Sequence, residues 1–203
     1  MEYRHTTVLL HEAVDQLVTD PDGVYVDCTL GGAGHTSLLL TRLSGKGRVI
    51  GIDRDEAAIR NAEETLHDPR LILCRSNYTD IDDIVRRLAS EGVNGILADL
   101  GVSSPQLDDP ERGFSYASDA RLDMRMDRDQ AFSAYDVVNT YTKEDLVRIL
   151  RDYGEERFAG RIADRILRAR ENGPIETTSQ LTAVVAPALP KADKKEGHPC
   201  KRT

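Results

Sequence analysis

No stretch of this chain stays apolar for the roughly 20 residues a bilayer-crossing helix needs. The first residues, MEYRHTTVLLHEAV, lack the basic-then-apolar layout of a secretory signal. A membrane role and an exported product are therefore not expected. Cysteine is scarce: Cys28, Cys74 and Cys200 are odd in number, far apart and in no CxxC pair. That excludes a disulfide framework, argues against a metal site, and favours a reducing cytoplasm. Positive charge is not in excess either. The 27 Lys and Arg against 35 Asp and Glu leave a net charge of −8, which rules out a protein that coats nucleic acid with its whole surface. It does not rule out a local basic face. Internal repeats are absent.

What is present is ordinary globular material: 203 residues, 39% hydrophobic and 31% charged, enough for one domain with an appendage or for two small ones. Over the first hundred residues, short β-type runs alternate with helical patterns. GVYVD (23–27), GRVIGID (47–53), LILC (71–74) and NGILADL (94–100) read as strands, separated by TSLLLTRL, DEAAIRNAEETL and DIDDIVRRLAS as helices. Continuous apolar strands alternating with amphipathic helices predict an α/β fold of parallel βαβ units. After about residue 109 the chain turns polar, and DDPERGFSYASDARLDMRMDRDQAFSA reads as an ordered but irregular loop. Helices follow: one capped by Thr142 and stopped at Gly154, one with Phe158, Ile162 and Ile166 as its apolar stripe, and a short one in TTSQLTAVVAPALP. The expected domains are residues 1–109 and 110–203. Four strands make a thin sheet, so the sheet is expected to be incomplete in this chain.

The chemistry-bearing stretch is VYVDCTLGGAGHTSLLL, where a strand breaks over Gly31, Gly32 and Gly34 and resumes as a helix. A glycine turn between strand and helix lets backbone approach a small ligand closely. In an open parallel sheet, ligands bind beyond the carboxyl ends of the strands. Those ends carry Asp27 with the glycine turn, Asp53 at ribose-binding distance along the sequence, Tyr78 after the third strand, and Asp99 after the fourth. The set suits an adenosyl cofactor. A dinucleotide asks for GxGxxG, and here Ser37 stands at the third glycine. S-adenosylmethionine asks instead for an acid such as Asp27 near its ammonium and for loop amides near its carboxylate. Both readings stay open on the residues, with the methyl donor the better match. Each position also has a plainer use: His35 as a helix-start residue, Asp53 as a cap, Tyr78 as a packed surface ring.

The motifs HTTVLLHEAV, GGAGHT, IDRD, DLGVSSPQLDDPERGFSY…LDMRMD and YGEERFAGRIA resemble the RsmH (MraW) family of 16S rRNA cytosine-N4 methyltransferases, and the likeness runs along the whole chain. It implies a Rossmann-like class I methyltransferase with a helical insertion domain, S-adenosyl-L-methionine as cofactor, and the 16S rRNA of the small ribosomal subunit as partner. It also implies cofactor contacts at the turn residues Gly32, Ala33, Gly34 and His35, and at Asp53, Tyr78, Asp99 and Gln106. Family members continue beyond HPCKRT, including a segment near SFHSLEDR that is missing here.

The resemblance also implies a chemical role for Asp99. The exocyclic amine of cytosine is a poor nucleophile, and an acceptor on its N–H favours the reactive form. Asp99 is the expected group, with the Leu100 carbonyl as a second acceptor, although DLGV lacks the two prolines found at this place in other amino-methyltransferases. Contact with the cofactor alone is an equal alternative for Asp99. Phe114 and Tyr116 could hold an unstacked base. Arg157, Arg161, Arg165 and Arg168, with Lys191, Lys194, Lys195, Lys201 and Arg202, could meet phosphates. The arginines recur at three- and four-residue steps beside many acids, so a solvated, salt-bridged helix face explains them equally well. Competing functions are an NAD(P)-dependent oxidoreductase and a non-catalytic RNA-binding fragment.

Overall fold

The computed structural model describes residues 7–190. The chain divides into two compact units, Met1–Pro105 and Gln106–Thr203. Among the described residues no helix is long and apolar enough to cross a membrane.

The first unit is a four-stranded parallel sheet in the order β3-β2-β1-β4, with β1 at Val24–Asp27, β2 at Arg48–Asp53, β3 at Leu71–Arg75 and β4 at Gly95–Leu97. The expected strand types hold. The fourth strand is shorter than its apolar run, because pairing with β1 ends at Asp27↔Leu97. Alternation sorts the core. Tyr25 and Val49 face the helices α1 (Leu10–Leu17) and α2 (Gly34–Arg42) with Val14, Leu39 and Leu40. On the same face Leu30 and Ala33 pack with Ile59 and Ala62 of α3 (Glu56–Thr65). Val26, Ile50 and Ile52 point the other way and meet Ile84 of α4 (Ile81–Leu88). The strand side chains among them, Tyr25, Val26, Val49, Ile50 and Ile52, are β-branched or aromatic, which suits a pleated, doubly covered surface. The Tyr25 ring is fully buried, and its hydroxyl is satisfied: it donates to the Asp20 carbonyl at 2.9 Å and accepts from the Thr19 and Asp20 amides.

The helix ends are specified locally and at long range. Asp55 caps α3 by accepting from the Ala57 amide at 3.0 Å. The carboxyl end of α2 is closed from a distance: the Arg70 guanidinium donates to the carbonyls of Leu40, Leu43 and Ser44, each at 2.9 Å. Asp68 holds that guanidinium in place at 2.6 Å, and the pairing draws its carboxyl down to about 2. Helix α1, which the sequence pattern did not single out, starts from Leu9 in the left-handed region at φ 49°.

In the second unit, α7 (Lys143–Asp152), α8 (Ala159–Arg170) and α9 (Thr178–Val185) bury Leu146, Leu150, Ile162, Ile166 and Val185 in one core. Thr142 caps α7 through the Asp145 amide, as its place in the sequence suggests. Gln180 reaches back to the Glu176 and Thr177 amides to complete the cap of α9. The end of α7 differs from expectation: Gly154 is not the left-handed residue there, Glu155 is, at φ 52°.

Two further helices were not anticipated: the short α5 (Ser104–Asp108) and α6 (Ala134–Thr140) at the end of the long loop. The loop itself is irregular yet ordered. Arg112 is buried, and its Nη2 donates to the carbonyls of Arg125 and Met126 at 3.1 and 3.0 Å. Gly113 sits at φ +69°, where an added Cβ would lie 2.5 Å from the Arg121 carbonyl oxygen.

Candidate functional site

Because all four strands run in parallel, their carboxyl ends share one edge of the first unit. That edge carries the glycine turn after β1, Asp53 ending β2, Tyr78 in the single 3₁₀ turn (Tyr78–Asp80) after β3, and Asp99 two residues past β4. Gln106 belongs to the second unit, where it is buried in α5.

The turn is built from strand-end carboxylates. Asp53 accepts the Gly31 amide on one oxygen and the Asp55 amide on the other, both at 2.9 Å. Burial pushes the Asp53 carboxyl up, and those two amides oppose the shift. Asp53 is part-buried, so it ties the turn to β2 while retaining lone pairs on both oxygens.

Asp27 behaves differently. It has no solvent exposure, and its oxygens accept the Thr36 hydroxyl at 2.7 Å and the Thr29 amide at 3.1 Å. Desolvation raises its pKa, with the Thr36 hydroxyl the chief opposing influence. The expectation that Asp27 faces a ligand ammonium is therefore corrected. Its carboxylate is sealed under the turn, holding the end of β1 to α2.

Thr29 extends the same network. Its hydroxyl accepts the Asp99 amide at 2.7 Å, so the backbone after β4 is tied to the glycine turn while the Asp99 side chain stays exposed. Ala33 lies in the left-handed region at φ 62° as the N-cap of α2, a strained state for a residue with a Cβ and one that concentrates at functional turns. The first-turn amides of α2 have no intrahelical acceptor, and the helix dipole adds partial positive charge there. The start of α2 thus carries N–H donors with no acceptor inside the helix.

The glycines divide the work. Gly31 takes a positive φ of 48°. Gly34 makes room for Thr7, whose Oγ1 would lie 2.0 Å from an added Cβ. That close approach serves the protein's own N-terminal segment. His35 is buried, and its Nε2 lies 3.1 Å from the Val8 carbonyl oxygen, which fixes the same segment over the turn. Tyr78 is 47% exposed, a ring available at the strand-end edge.

In the second unit, Phe114 lies under the Arg112 guanidinium at 6.0 Å, and Tyr116 is exposed. A cavity of about 810 Å³ opens between Arg121, Asp123, Arg125, Tyr135, Asp136 and Thr177. Two of its carboxylates are already engaged: Asp123 with Arg125 at 2.7 Å, and Asp136 with Ser133 at 2.7 Å. Each is held below the usual carboxylate range by that partner. Lys191, Lys194, Lys195, Lys201 and Arg202 lie outside the described residues, as do His5 and Cys200. Among the described residues no group of His, Cys, Asp and Glu could hold a metal ion.

Residues 2–203 match the sequence profile of the MraW methylase family. The chain belongs to that family. Among its relatives is the Ribosomal RNA small subunit methyltransferase H of Clostridium botulinum (strain Loch Maree / Type A3), 52% identical over 204 residues. Proteins of the same name from Clostridioides difficile (strain 630) and Brevibacillus brevis are each 50% identical over 206 residues. Each alignment covers 100% of this chain and 66% of the relative, so this MraW-family chain spans just under two thirds of the relatives' length. A solved structure of a putative rRNA-methylase from Clostridium thermocellum aligns at 24% identity over 41% of this chain and 48% of its own, with a TM-score of 0.35, an overlap too partial to bear on the fold. The four-stranded parallel sheet is consistent with the Rossmann-like fold of a methyltransferase of this family.

The sequence pattern missed Thr29, Thr36 and Thr7. A hydroxyl two residues past a buried strand-end carboxylate was the available signal for Thr29. Nothing local marks Thr36 or Thr7, whose roles arise from chain segments meeting across the turn.

Proposed function

We propose that the strand-end edge of the first unit binds S-adenosyl-L-methionine, and that the protein methylates the N4 amine of a cytidine in 16S rRNA of the small ribosomal subunit. The cytoplasm would be its compartment. One observation carries the reading: the glycine turn, Asp53, Tyr78 and Asp99 stand at the carboxyl edge of one parallel sheet, tied together by the Gly31–Asp53 and Thr29–Asp99 bonds.

The residues present fit such a cofactor. Asp53 offers lone pairs to a ribose, Tyr78 a ring to an adenine, and the amides at the start of α2 suit a carboxylate. Since Asp27 is sealed, Asp99 is the exposed strand-end carboxylate left to balance an ammonium. The same group can accept a hydrogen bond from the substrate amine and favour its nucleophilic form. Gln106 is a further proposed cofactor contact, carried over from the family resemblance alone. The bound cofactor supplies an activated methyl group; what the chain contributes is orientation, which can recover roughly 7–11 kcal/mol of a barrier. Similarity to relatives named as small-subunit rRNA methyltransferases supports the RNA substrate.

Calorimetric titration of the chain with S-adenosylhomocysteine and, separately, with NAD tests the reading. Binding of the first alone is the expected result. Binding of NAD alone would point to an oxidoreductase, and binding of neither to an RNA-binding fragment; either result ends the proposal.

A further inference from the structure

Helix α8 carries four arginines and one carboxylate, Asp164. Lys143 already neutralises that acid at 2.6 Å. Arg170 is put to structural use, donating to the carbonyls of Val138 and Tyr141 at 3.0 Å, which closes the end of α6. The other three, Arg161, Arg165 and Arg168, are exposed. Their i, i+4, i+7 spacing places them in one row, opposite Ile162, Ala163 and Ile166, which are buried. None of the three forms an ion pair among the described residues. The salt-bridged helix face that the sequence equally allowed is therefore not what the fold builds. Arg161 lies over the Phe158 ring at 5.6 Å, a cation–π contact that does not consume its N–H donors. Arg165 spends only its Nε, on the Val184 carbonyl at 2.9 Å.

We infer that this row is an RNA-docking face that grips successive phosphates of one strand, a reading that rests on the RNA-methyltransferase function proposed above. At a rise of about 1.5 Å per residue the row steps by about 6 Å and then about 4.5 Å, the scale of successive phosphates along a strand. Guanidinium forks match phosphate oxygens in pairs. In a chain of net charge −8, three uncompensated cations on one helix are a local exception, and charge complementarity names a polyanion as the occupant. Each phosphate neutralised releases counterions, so the face carries a salt signature.

The test measures binding of a fluorescein-labelled single-stranded RNA to the 203-residue chain across a salt series from about 50 to 200 mM, with S-adenosylhomocysteine binding followed in parallel. For single strands each phosphate contact contributes about −0.7 to the slope of log K against log salt. R161Q/R168Q is expected to flatten the slope by about 1.4, that is two contacts at that value, while R161K/R168K retains it and S-adenosylhomocysteine affinity does not move. An unchanged slope in R161Q/R168Q would overturn the inference and hand the face to an acidic protein partner or to solvent. If the slope flattens but the wild type binds no S-adenosylhomocysteine, the docking face stands and the methyl-donor reading falls, so the two failures are separable.

Discussion

Thr36→Val probes the buried carboxylate beneath the glycine turn. Valine keeps the shape of threonine and removes one atom's function, the hydroxyl that donates to Asp27 at 2.7 Å. Asp27 has no solvent exposure, so water cannot replace the lost donor, and only the Thr29 amide at 3.1 Å remains. A hydrogen bond to a charged group contributes about 1.5–3 kcal/mol, and an unsatisfied buried group costs more than an exposed one. A loss of about 2 kcal/mol is expected at neutral pH, or about 30-fold faster hydrogen exchange at β1 and β2 amides under native conditions.

The pH dependence supplies a second check on the same variant. Asp27 is raised in the folded state by burial, so between its unfolded value near 3.8 and its raised folded value the native state holds the extra proton. Stability therefore falls as pH rises through that window and levels off above it. Removing the Thr36 donor removes an influence that lowers this pKa. The window widens upward in the variant, and the deficit against wild type must shrink towards acid, where Asp27 is protonated in both states. Native-state hydrogen exchange on the β1 amides, read at neutral and at acidic pH, checks both statements. A deficit under about 0.5 kcal/mol, or one that does not change with pH, would refute the claim that Thr36 stabilises a charged Asp27.

Further outcomes follow from the same contacts. Gly34→Ala places a Cβ 2.0 Å from Thr7 Oγ1 and should destabilise by about 1–3 kcal/mol; a double-mutant cycle with Thr7→Ala should recover much of that, and additive effects would contradict it. Arg70→Met withdraws donors from three carbonyls at the end of α2 and should cost about 2 kcal/mol in urea unfolding. The Asp68 carboxyl, held at about 2, contributes stability that is present above its unfolded value of 3.8 and lost as pH falls towards 2; Asp68→Asn should abolish that part of the acid transition. Ile162→Ala, at a fully buried position of the helical core, should cost about 2–5 kcal/mol, read from exchange of α7 and α8 amides.

Pattern sufficed where local chemistry decides the outcome. Apolar runs at β1, β2 and β3 announced parallel strands because a doubly covered strand has no polar face to alternate. Thr142 announced the start of α7 because a hydroxyl followed by acids satisfies orphan amides within one turn. The positions of Asp53 and Asp99 near strand ends were legible for the same reason, since strand direction fixes which end a residue occupies. The α1 helix begins at a left-handed leucine with no side-chain cap, so it carries no start signal to read; α6 does carry one, the Ser133–Asp136 capping box, but it sits inside a polar loop where such residues are common.

What the sequence by itself determined, then, is the order of elements, the edge at which the strand-end residues gather, and the family to which the motifs belong. Tertiary structure alone decided which carboxylate is spent and which is free. Asp27 and Asp99 look alike in a string of letters, yet one is sealed by Thr36 and Thr29 while the other is held by its amide with its side chain in solvent. Likewise the arginines of α8 became readable only once Lys143 was seen to take Asp164. Desolvation and pairing are properties of segments brought together over long sequence separations, and no local pattern encodes them.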